Sequence, residues 1–128
     1  MTRSAGWFGL LAAPSAYCLQ ELVNVSLAGH ACYPRDVPLA TPLWPDLASI
    51  EIWIGVAAIV ICIAASIVAF VNWRRSRTEK PGDGRQLIGS GDGRTRFMAM
   101  AGMMVSVLFL IAVGISTMNI TMVPPCGG

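Results

Sequence analysis

From Ile50 to Val71 the chain reads IEIWIGVAAIVICIAASIVAFV, with Glu51 at its rim and no charged side chain between Ile52 and Asn72. Lipid offers backbone N–H and C=O groups no outside partner, so a segment that crosses it is a helix of about 20 apolar residues. A core helix of a soluble domain is usually shorter and keeps a polar stripe, and no face of this stretch has one. The pattern predicts a membrane span over residues 50–72.

A second apolar run, from Phe97 to about Ile120, ends before Pro124 and Pro125, which cannot continue a helix. The run near the start, from Gly6 to Ala31, is less pure, being interrupted by Pro14, Gln20, Glu21, Asn24 and His30. Arg3 followed by apolar residues resembles a signal peptide, but no small-x-small site closes the run. Residues 7–29 are therefore expected to form a first span, loosened where the Pro14 ring removes a helical hydrogen bond. Between the first two runs, residues 32–49 read CYPRDVPLATPLWPDLAS, and four prolines there exclude both helix and central strand. An extended connector at the membrane surface is expected, with Tyr33, Trp44 and Trp53 at the lipid interface. Asp46 or Ser49 is placed to cap the central helix, and Glu51 to complement its dipole. The expected fold class is all-α, an integral membrane protein of three transmembrane helices (7–29, 50–72 and 97–120) in one membrane domain, residues 1–128.

Composition adds that nothing else fits in the chain. Of 128 residues 55% are hydrophobic and 12% charged, against about 25% charged in an ordinary soluble domain. Charge is unevenly placed: residues 73–96 hold seven of the nine basic side chains. Inner loops are enriched in Lys and Arg, and Arg3 joins that side if the spans alternate. The expected topology puts the N-terminus and the basic loop inside, and the Pro-rich connector and C-terminus outside. The loop repeats Gly82-Asp83-Gly84-Arg85 as Gly91-Asp92-Gly93-Arg94, which predicts two turns and lacks the spacing of a phosphate cradle.

Small residues form two ladders. Gly55, Ala58, Cys62, Ser66 and Ala69 recur on the central helix, and Gly102 and Ser106 share a face with Val113 and Thr117 on the last. Such faces let helix backbones approach closely, so they are packing surfaces between spans or with a partner. Cys32 and Cys126 fall just beyond the outer ends of their spans, where a disulfide would persist, although four cysteines allow three complete pairings. Cys18 and Cys62 lie near mid-membrane as small apolar residues. Glu21, with Tyr17, Gln20 and Asn24 a turn away, is the main polar oddity. It bonds a neighbouring helix or water, or it belongs to a proton path, for which a second titratable partner is missing. Met118, Met122 and Cys126 are spaced four apart, and with His30 and Cys32 they offer ligands suited to copper(I). Methionine is equally enriched at the opposite end of that span, at Met98, Met100, Met103 and Met104, which argues for simple packing.

The opening Gly6-Trp7-Phe8-Gly9-Leu10-Leu11-Ala12-Ala13-Pro14 with Cys32, and the closing Arg96-Phe97 to Pro124-Pro125-Cys126, resemble small three-span bacterial membrane proteins found beside the subunits of haem-copper cytochrome oxidases. The resemblance implies an accessory or assembly role in the respiratory chain and no catalytic residue. The expected function is therefore a non-catalytic accessory subunit that binds lipid and larger membrane subunits, with no cofactor, nucleic acid or small-molecule substrate. Its rivals are a copper-handling assembly factor using Met118, Met122 and Cys126, and a proton- or solute-conducting protein using Glu21.

Overall fold

Three long helices account for nearly all of the computed structural model, which describes residues 3–78 and 92–127. Helix α1 spans Arg3–Cys32, α2 spans Leu47–Thr78 and α3 spans Asp92–Met122. There is no strand among the described residues. Each helix packs on both others, and α2 and α3 share the largest interface. The chain runs up, down and up, so α1 and α3 are parallel, with the arginines of α2 and α3 at one end and a disulfide at the other.

Two helical segments are long and apolar enough to cross a membrane: Leu47–Arg75, of 29 residues, and Arg96–Met122, of 27. Helix α1 does not reach that standard, which corrects the expectation that all three runs would qualify by composition. The cause lies in Tyr17, Gln20, Glu21 and Asn24, which dilute its apolar run at mid-length. Burial shows where those residues point: Gln20 and Asn24 are buried, while Leu19, Leu22 and Val25 beside them are each about two-thirds exposed. The whole bundle has this inverted character. Its core is Ala13, Ala58, Cys62, Ala65 and Val113, whereas Phe8, Trp53, Ile67, Leu108 and Ile115 face outward.

Helix ends also depart from the expected boundaries. Arg74, Arg75 and Arg77 belong to α2, and Arg94 and Arg96 to α3, so the flanks of the expected basic loop are helical. Arginines in the last turn of α2 complement its negative end, which favours continuing the helix past Asn72. Residues Asp92 to Arg94 are helical and not the expected turn, while Gly82 to Arg85 lie outside the described residues. Helix α1 runs through Pro14 without interruption. Asp46 stands just before α2, and its carbonyl accepts the Ile50 N–H at 3.0 Å. Glu51, expected at a wet rim, is buried, at 5% exposure.

The connector holds neither α-helix nor strand, as four prolines require, but it is not the expected extended segment: a 3-10 turn at Pro34–Asp36 is followed by bends at residues 40–41 and 43–44 and a turn at 45–46. Arg35 and Asp36 there have φ of 58° and 61°, a left-handed conformation that costs a non-glycine residue free energy and needs local support. That support comes from bonds on either side. Leu39 N–H donates to the Cys32 carbonyl at 2.8 Å, and Leu43 N–H to the Ala31 carbonyl at 3.0 Å. Both tie the connector back onto the end of α1.

Candidate functional site

The chemistry this chain presents lies where its helices touch, and it differs along the bundle. Near the arginine end the contact is between backbones. Gly9 of α1 lies against Ala69 of α2, and a Cβ built on Gly9 would stand 3.4 Å from that of Ala69. From the other side, a Cβ on Gly102 would come within 3.2 Å of both C and O of Gly9. The Ser106 hydroxyl completes the node by donating to the Gly9 carbonyl at 3.0 Å, fully buried. Gly9 was not among the expected packing residues. A glycine near the start of a run that resembles a signal peptide carries no periodic signal of its own.

On α2 the ladder of small residues faces its own bundle. Glu51, Gly55, Ala58, Cys62, Ala65, Ala69 and Asn72 are all buried, and they alternate by four and three residues. This is the spacing that keeps one seam inward when helices cross at a shallow left-handed angle. Ala65 takes the rung assigned to Ser66, which is half-buried and donates its hydroxyl to the Cys62 carbonyl at 2.8 Å. At Gly55 the approach of α3 is closest: a Cβ there would collide with the Thr117 side chain, 2.9 Å from Cγ2 and 3.2 Å from Cβ. Gly55, Ala58, Cys62, Gly102 and Ser106 are thus consumed by packing within the chain.

Toward the disulfide end, polar side chains replace backbone contact. The Gln20 amide donates from Nε2 to Thr117 Oγ1 at 3.5 Å. Thr117 gives its own hydroxyl proton to the Val113 carbonyl at 2.8 Å, so toward Gln20 it is an acceptor only. That fixes the amide orientation, with nitrogen toward Thr117. Gln20 Oε1 is then left without a partner among the described residues, as is Asn24 Oδ1 one turn along. Beside them Glu21 accepts a hydrogen bond from Ser116, and Tyr17 packs on Phe109 with ring centroids 5.5 Å apart. The polar cluster expected on α1 is therefore divided: Gln20 and Asn24 enter the core, and Glu21 and Tyr17 each take a separate partner on α3. Ser116 had not been singled out. The adjacent polar pair Ser116-Thr117 in an apolar helix was the available signal, since it matches Gln20-Glu21 once α1 and α3 are known to be parallel.

Cys32 and Cys126 form a disulfide across a sequence separation of 94, with Cα atoms 5.4 Å apart. It joins the end of α1 to the segment that follows α3. The bond leaves Cys126 no thiolate for the rival copper site at Met118, Met122 and Cys126. Met118 and Met122 are both more than half exposed. No group of three or more His, Cys, Asp or Glu residues with metal-binding placement occurs among the described residues. Cys18 and Cys62 are free thiols, the first exposed and the second buried. A shallow groove of about 210 Å³ lies between α1 and α2, lined by Leu19, Gln20 and Val23 of α1 and Ile54, Ala58 and Ile61 of α2 among others. No protein-family model matches this chain, and no curated protein or solved structure matches it either.

Proposed function

We propose that this chain is a three-span integral membrane protein of the bacterial plasma membrane. In this reading it serves as a non-catalytic accessory subunit, packed against larger membrane subunits of a respiratory complex, with a terminal oxidase favoured. One observation carries the membrane reading for α1: at mid-length Gln20 and Asn24 point inward while Leu19, Leu22 and Val25 point outward, the reverse of a helix folded in water. The apolar outer surface with its groove suits lipid and partner helices, because in a bilayer such a surface attracts no water-driven aggregation. The oxidase choice is supported by the resemblance of the two ends of the chain. The basic helix ends favour an inner placement for Arg74 to Arg77 and Arg94 to Arg96.

Two experiments test this. In a background lacking Cys18 and Cys62, an impermeant thiol label is expected to reach Thr41→Cys in intact spheroplasts and Ser90→Cys only after the membrane is opened. The opposite pattern reverses the topology. Purification of the tagged chain from its native membrane in mild detergent is expected to bring larger respiratory subunits with it. A chain that always runs alone and monomeric would sink the accessory-subunit reading.

A further inference from the structure

The node at Gly9 sets the register of α2 against α3, and that register places the arginines. Ala69 and Gly102 both meet Gly9 and so lie at one level. Counting six residues from each toward the chain's arginine end reaches Arg75 and Arg96, and counting eight reaches Arg77 and Arg94. At a rise of 1.5 Å per residue, the two rows stand about 9 and 12 Å beyond the node. Arg75 and Arg96 are also the residues at which the two apolar segments end. Arg74, Arg75, Arg77, Arg94 and Arg96 are exposed. The acidic residues nearest in sequence, Glu79 and Asp92, each stand two residues from Arg77 and Arg94 respectively.

Aromatic rings underlie this collar. Arg77 sits over the Trp73 ring at 4.9 Å and Arg74 over Phe70 at 6.0 Å, while Phe97 is 72% exposed next to Arg96. Stacking uses the face of a guanidinium and leaves its in-plane N–H edge to donate, and that edge matches two phosphate oxygens at once. A ligand for the collar would carry an oxyanion above and apolar substance below, alongside Phe70 and Phe97, and at the end of a membrane span that combination is a phospholipid. We infer that the collar of Arg77, Arg94 and Arg96 on paired helix ends binds the headgroup phosphate of an anionic phospholipid. The inference rests on the membrane reading of α2 and α3 and not on any partner subunit.

The test uses the full chain alone, reconstituted in phosphatidylcholine nanodiscs with a minority of phosphatidylglycerol. Lipid retained after mild detergent extraction is identified by mass spectrometry. Phosphatidylglycerol is expected to be enriched over its bilayer fraction, and R77Q/R94Q to lower that enrichment by about fivefold for each arginine removed. R77K/R94K keeps charge but loses the fork, so it is expected to fall between the two. An intact disulfide and unchanged helicity show that each variant is folded, and R96Q gives an independent second variant should the double one fail. Equal retention of the two lipids, or enrichment unchanged in the Gln variants, overturns the inference. So does loss of the enrichment when inorganic phosphate is added at constant ionic strength, which would mark a free-phosphate site.

Discussion

The two ends of this bundle hold the same three helices together by different means. At the arginine end Gly9, Ala69, Gly102 and Ser106 bring backbones into contact. At the disulfide end Gln20, Glu21, Ser116 and Thr117 reach across, and Cys32 is bonded to Cys126. Helices in lipid gain little from burying apolar surface against one another, so adhesion comes from close packing or from polar bonds. This chain uses one at each end. Register is nevertheless common to both: Ser106 to Gly9 and Thr117 to Gln20 each span 97 residues of sequence. The two contacts are three helical turns apart, and α1 and α3 do not slip between them.

Removing the disulfide is the strongest way to separate the ends. Loop-closure reasoning assigns such a bond about 2 to 4 kcal/mol, less where the reduced chain is already held in lipid. Cys126→Ser is expected to raise hydrogen exchange in the connector and the last turn of α3 while the amides around Gly9 keep their protection. Equal loss of protection at both ends would mean that the bundle opens as one unit. Gly102→Leu attacks the other end. Overpacking costs about 1 to 3 kcal/mol, and here the obstacle is the Gly9 backbone, which has no side chain to move aside. Reversible unfolding in mild detergent is expected to show that loss, with the disulfide intact by non-reducing peptide mapping. Since Ala58 and Gly102 are buried within the chain, leucine there tests the fold first, and any lost association with a partner follows from it.

A smaller effect is expected at the polar layer. Thr117→Val removes the acceptor for Gln20 Nε2 and leaves the whole amide buried without a partner, at about 1 to 3 kcal/mol. Gln20→Leu removes the same bond together with the orphaned Oε1, so it is expected to be near neutral. Measuring both variants and the double variant isolates the pair. A Gln20→Leu cost equal to that of Thr117→Val would show that Oε1 has a partner, in water or on another helix.

Much of this was legible in the sequence, and what escaped has a physical reason. The three helices, most of the small-residue spacing of α2 and the placing of Cys32 with Cys126 follow from period and topology, although only α2 and α3 are apolar enough to cross a membrane. Ala65 was missed because Ser66 and Ala65 are both small, and only the exact phase of the helix decides which faces inward. Gly9 was missed because its role depends on two other helices. The split of Tyr17, Gln20, Glu21 and Asn24 depends on the 97-residue offset between α1 and α3, which no local pattern encodes. Cys126 had two possible fates, copper ligand or disulfide partner, and it is bonded to Cys32.

Glu21→Gln sharpens the comparison by the smallest expected change. Glu21 takes the hydroxyl of Ser116 and is only half-buried. The amide keeps the length of the side chain and an oxygen for that hydroxyl. It also brings an N–H donor one turn from Asn24, whose Oδ1 lacks a partner. The variant keeps one hydrogen bond and adds a donor, so the stability change is expected within about 1 kcal/mol. If Glu21 serves adhesion, the variant folds, associates and supports its complex as the parent does. A folded, assembled Glu21→Gln protein whose complex has lost proton movement would instead make this carboxyl part of a relay. The disulfide end would then carry function as well as adhesion.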